Sequence, residues 1–264
     1  MKKIIDFKPI TKEEHEELVD FDEYKTLGYQ YTIMYMSRIH SLSEFIFGKI
    51  LSLRNKLFSD FEASEVVEAF TIKMICDWEW YSERIICECL KNDTSMLSRE
   101  IGLILPVTIT TDECMAYLNG LGYFDLKSCS NLKSIAKKVL TKELNPFANI
   151  GNEAKNKIDD FYIFRNYVAH KSIKAKKALI KTYEKYNQID FQEVGEFLLN
   201  KEFEKDNLIR FQNFGGSFWL SSFQILEFSF PKIYKWICRD EQTYNDKCHI
   251  RFHYLRSLIP YQSR

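Results

Sequence analysis

Apolar positions recur along this chain at steps of three and four, the period of a helix packed on one side. Ile39, Leu42, Ile46, Ile50, Leu53 and Leu57 make one such stripe and predict a long helix over about Tyr31–Phe58. A second long helix is expected from Ser64-Glu65 to about Leu90, ended by Asn92-Asp93-Thr94-Ser95; Val66, Ala69, Phe70, Lys73, Asp77, Trp80, Tyr81 and Arg84 trace its faces. Pro106 and residues 108–111 mark a loop, and Ile101–Leu105 could pair as a short strand. Two short helices follow near Asp112–Leu118 and Asn131–Leu140. The glycines of Asn119-Gly120-Leu121-Gly122 lie between helices, which is turn chemistry and not a phosphate loop.

Asn145-Pro146 breaks the chain, and Asn152 is a plausible N-cap for the next helix. That helix runs to His170 and either continues or bends into Ile173–Tyr186. A helix near Phe191–Leu199 and an apolar stretch Ser217–Phe230, preceded by Gly215-Gly216, complete the pattern. Strand alternation is nearly absent, so the expected class is all-α, with about eight helices. Residues 1–30 read as a polar N-terminal segment.

Charge changes this picture only in its distribution. The 37 basic and 37 acidic residues cancel, yet residues 125–185 hold 14 Lys/Arg against 6 Asp/Glu. A basic middle suits a phosphate-bearing partner, with solvated helix faces as the alternative. No stretch reaches the roughly 18 uninterrupted apolar residues of a membrane helix, and Met1–Asp6 does not read as a signal peptide. Seven scattered cysteines suit reduced thiols in a cytoplasm better than a disulfide framework. Cys238, Cys248, His249 and His253 match no standard zinc spacing, so no metal or cofactor is expected.

The chemistry concentrates in Asp159-Asp160-Phe161-Tyr162-Ile163-Phe164-Arg165-Asn166-Tyr167-Val168-Ala169-His170. With Ile158 at zero on a helical wheel, Phe161, Tyr162, Val168 and Ala169 fall within about 80° and Arg165 falls in their middle. Asn166 and His170 share the adjoining flank, one turn apart. Arg165 and His170 are separated by about 140°, too far round for easy contact within one straight helix. Acting together would require a bend or a second copy of the helix, as in a two-fold dimer. The alternative is that Arg165 bridges backbone carbonyls or a carboxylate such as Asp77 or Glu83, while His170 merely ends the helix.

Arg165-Asn166-Tyr167-Val168-Ala169-His170 resembles the signature of the HEPN superfamily: arginine, often a polar neighbour, a short spacer, then histidine. Trp78-Glu79-Trp80-Tyr81 on a long upstream helix and the all-α pattern are similar to that fold. The resemblance covers roughly residues 31–186, which would form a HEPN-like helical bundle, with 187–264 as a C-terminal helical extension packed on it. It implies a metal-independent endoribonuclease of the kind that serves as a toxin or defence effector beside a cognate antitoxin or regulator. It also implies a homodimer through the Arg165–His170 helix, catalytic roles for Arg165 and His170, and a supporting one for Asn166. Ser172 stands where toxins paired with a minimal nucleotidyltransferase carry tyrosine, a departure from that subgroup. The competing expectation is a non-catalytic HEPN-type module for dimerisation or binding.

The residue types suit RNA cleavage by the 2′-hydroxyl. Histidine can exchange a proton near neutral pH, and a guanidinium suits phosphoryl oxygens. Glu79 and Glu83 are further candidates on the upstream helix. Lys171, Lys174, Lys177 and Lys181 would attract an RNA backbone without reading its sequence. Tyr183 and Tyr186 could stack bases, and Phe211, Phe214, Phe218, Trp219, Phe223, Phe228 and Phe230 could recognise a partner. Core packing is the favoured reading for both aromatic sets.

Overall fold

The computed structural model describes residues 10–54, 56–201 and 208–238. Cys248, His249 and His253 lie outside them. Eleven α-helices occur among the described residues: α1 (Lys12–Asp20), α2 (Leu27–Phe45), α3 (Asp60–Leu90), α4 (Ser95–Ile101), α5 (Thr111–Gly120), α6 (Cys129–Val139), α7 (Asn152–His170), α8 (Ile173–Glu184), α9 (Val194–Leu199), α10 (Arg210–Ser229) and α11 (Pro231–Ile237). No strand forms there; Arg54–Phe58 and Lys201–Ile209 are isolated bridges. The fold is all-α. No helix among the described residues is long and apolar enough to cross a membrane.

Caps account for most of the boundary differences from the sequence pattern. Ser59, not Ser64, opens α3: its hydroxyl accepts from the Glu62 N–H while Glu62 reaches back to Ser59 N–H. Thr26 starts α2 before Tyr31, and α-helical winding stops at Phe45, giving way to a wider π turn over Ile46–Leu51. That turn ends the predicted stripe early. Ile46 and Ile50 are buried, but Leu57 is 74% exposed.

Gly151, not Asn152, occupies the N-cap position of α7, its N–H donating to Gln224 Oε1 on α10 at 3.2 Å. Ile101 closes α4 and Gly102 turns out of it at φ +69°, so Ile101–Leu105 makes no strand. Gly215-Gly216 lies inside α10 and does not precede it. Gly215 allows α2 to approach there, since an added Cβ would sit 3.1 Å from Ser43 Oγ.

The long helix α3 is the spine, packed against α2, α5, α7 and α9, while α10 crosses α2 and α7. One apolar cluster runs through all of these, from Tyr35 to Ile225. Phe161 and Phe164 of α7 meet Phe214 of α10 with ring centroids 5.6 and 5.1 Å apart. Phe211, Phe214 and Phe218 are therefore core residues, as are Phe223 and Phe230 of a satellite cluster. Leu18 of α1 and Trp236 of α11 join that satellite, so the polar N-terminal segment contributes an apolar anchor.

Candidate functional site

The signature residues occupy the last two turns of α7. Ala154, Ile158, Phe161, Tyr162, Phe164 and Tyr167 are buried, which covers more than half the helix circumference and fixes its rotation. Arg165 projects within that buried arc near the helix end and is itself partly buried. Its Nη1 donates to Asn166 Oδ1 at 3.1 Å. Among the described residues no carboxylate lies within 4 Å of the guanidinium, and Asn166 is its one side-chain hydrogen-bond partner.

Asp77, one suggested partner, is occupied elsewhere. It is buried on α3 between Arg38 Nη1 at 3.2 Å and Lys73 Nζ at 2.5 Å. The Arg38 guanidinium also lies over the Trp80 ring, 4.9 Å from its centroid.

The carboxylate whose field reaches Arg165 is Glu79 of α3. Burial raises the Glu79 carboxyl above its ordinary range, opposed by the nearby Arg165 charge and Tyr162 hydroxyl. Glu83, one turn on, is pushed up to about 7 by burial and then by the Glu79 charge, with Arg84 opposing. The Tyr162 hydroxyl is buried and makes no hydrogen bond of ordinary geometry. Burial, then Glu79, holds its phenol well above the usual range. Glu79 is thus coupled to Arg165 and Tyr162 where α7 packs on α3, and Glu83 to Glu79.

His170 ends α7 exposed to solvent. The helix stays regular through it and breaks at Lys171, whose backbone turns left-handed at φ +43°. The α-helical winding is thus unbroken between Arg165 and His170.

The predicted lysines divide. Lys174, Lys177 and Lys181 are exposed on α8 with no carboxylate within ion-pair distance among the described residues. Lys171 is engaged instead, its Nζ 3.8 Å from both Glu68 Oε2 and Glu193 Oε2. Lys185 is bound to buried Asp160 at 2.5 Å. Tyr183 is buried and stacked on Phe197 at 4.2 Å, and Tyr186 donates to Asp160 at 2.9 Å. Both tyrosines are packing residues.

Sequence reasoning missed the group around Glu68. Burial raises this carboxyl, while the Gly195 N–H and then Lys171 favour its charged form. The periodicity traced along α3 did not single it out, and only the packing of α9 shows that Glu68 is buried. Among the described residues no three His, Cys, Asp or Glu side chains gather as a metal site. The chain matches no family model, no curated protein and no solved structure.

Proposed function

We propose that this protein is a metal-independent endoribonuclease of the HEPN type, acting as a dimer in a toxin or defence role. The observation that carries the reading is the state of Arg165: a partly buried guanidinium, steadied by Asn166 and lacking a carboxylate partner among the described residues. Such a group is suited to an external anion, and its planar fork matches two phosphoryl oxygens. His170 is exposed at the end of α7, and Lys174, Lys177 and Lys181 face solvent along α8, which begins three residues later.

In this reading the RNA 2′-oxygen attacks the adjacent phosphorus as its proton passes to a general base or water, and the P–O5′ bond breaks as O5′ takes up a proton from a general acid or water. The products are a 2′,3′-cyclic phosphate and a 5′-hydroxyl. Arg165 stabilises the added negative charge on the phosphorane, and His170 transfers a proton at one of the two oxygens. Because α7 keeps its α-helical winding through His170, the roughly 140° between the two side chains persists. A two-fold partner supplying the second residue is the simplest completion.

Incubating the purified protein with mixed RNA in EDTA tests this. Cleavage by the parent, lost in Arg165→Ala and His170→Ala, is expected. A dimer that binds RNA and never cleaves it would move the assignment to a non-catalytic binding module.

A further inference from the structure

The last turn of α7 is held on both sides of His170. Tyr167, just before it, donates its hydroxyl to Glu193 Oε1 at 3.2 Å. Lys171, directly after it, reaches Glu193 and Glu68 at 3.8 Å each. Glu68 is buried on α3, and its other oxygen accepts from the Gly195 N–H at 3.3 Å. Gly195 makes this meeting possible, because a Cβ there would lie 2.1 Å from the Ser64 carbonyl oxygen. Backbone contact between α9 and α3 brings both glutamates within reach of one lysine.

The backbone of Lys171 adds a second observation. At φ +43° it sits where glycine or asparagine is the usual choice. A lysine kept in an unfavourable conformation, with its ammonium directed at a buried carboxylate, has a side-chain task there.

We infer that Lys171 and Glu68 form a clamp that positions His170, and that Lys171 is not a phosphate-binding residue; the catalytic half of this rests on the nuclease reading above. The ammonium is the counterion of Glu68, whereas those of Lys174, Lys177 and Lys181 face solvent. The Lys171 N–H closes the last turn onto the Tyr167 carbonyl at 2.7 Å, so holding Lys171 prevents fraying of the residue before it. The imidazole is thereby presented from a wound helix end.

Four variants test the clamp. Lys171→Gly suits the left-handed backbone and removes the ammonium, Lys171→Arg keeps the charge, Glu68→Gln removes its partner, and the double variant joins the first and third. In steady-state RNA cleavage at several salt concentrations, Lys171→Gly and Glu68→Gln should each lower kcat about tenfold, with KM and salt dependence unchanged. Lys171→Arg should recover most of that loss, and the double variant should be no worse than either single one. A phosphate contact predicts the opposite: raised KM, a salt slope reduced by about one, and no loss in Glu68→Gln. That pattern would overturn the inference. Amide exchange of residues 168–171 reads the clamp without RNA, and should quicken about tenfold in Lys171→Gly. Unchanged exchange defeats the clamp alone, whereas a parent that cleaves no RNA defeats the nuclease reading and the catalytic half with it.

Discussion

Replacing Arg165 by alanine should separate catalysis from stability, because its surroundings make the two costs very unequal. The substitution removes one side-chain hydrogen bond, that to Asn166 Oδ1, and breaks no ion pair among the described residues. A net hydrogen bond contributes about 1 kcal/mol, and the lost packing of the stem is offset by relief of a partly desolvated charge. The expected stability change is within about 1 kcal/mol, a shift of roughly 2–4 °C in Tm for a domain of this size. The catalytic cost is far larger. Removing a preorganised donor from a developing oxyanion lowers kcat about 10²–10³-fold, equivalent to roughly 2.7–4 kcal/mol.

The assay pairs thermal unfolding with cleavage of a 5′-labelled RNA in EDTA, the products being tested for a 2′,3′-cyclic phosphate end. Arg165→Lys should recover little, since an ammonium lacks the planar fork. Mixing Arg165→Ala with His170→Ala should restore about a quarter of parental activity, as half the dimers are mixed and each holds one intact shared site. Loss of more than about 3 kcal/mol of stability in Arg165→Ala would mean a structural arginine. Parental cleavage by that variant would remove Arg165 from the mechanism.

Other expectations are narrower. Glu83 is pushed up to about 7 in the folded protein, above its ordinary carboxylate range, by burial and Glu79. Folding therefore favours its protonated form, and the contribution of Glu83 to stability is lost as pH rises from about 4.5 to 7. Glu83→Gln should remove that loss, gaining up to about 1 kcal/mol at pH 8 after solvent screening and nothing near pH 4; a gain independent of pH in denaturant titrations would contradict the assignment. Charge reversal at Lys174 and Lys177 should weaken RNA binding and flatten its salt dependence, and unchanged affinity at low salt would reject these lysines as contacts. Gly195→Ala forces a Cβ to within 2.1 Å of the Ser64 carbonyl oxygen, so α3 and α9 must separate. The cost should be about 3 kcal/mol or more in denaturant unfolding, and a variant within 1 kcal/mol of the parent would mean the helices slide apart freely.

Much of the fold was legible because helical periodicity is a local property. The presence of α2 and α3, the turn after Leu90 and the break near Pro146 are set by neighbours a few residues away. The errors came where local signals compete. Ser59 and Ser64 are both serviceable caps, and only the capping box with Glu62 favours the first. Gly215-Gly216 stands before the apolar stretch in the sequence pattern, yet α10 begins at Arg210 and runs through both glycines.

By itself the sequence determined an all-α chain and an arginine, an asparagine and a histidine near one helix end, since spacing alone assigns residues to helix faces. Tertiary structure decided which charges remain available. Asp77 was a plausible partner for Arg165 until α2 brought Arg38 to it. Lys171 and Lys174 look alike in a basic run, but only Lys171 is met by a buried glutamate from α3. Whether a charge is paired depends on groups far away in the chain, and the Coulomb and desolvation energies that govern it follow distance in space.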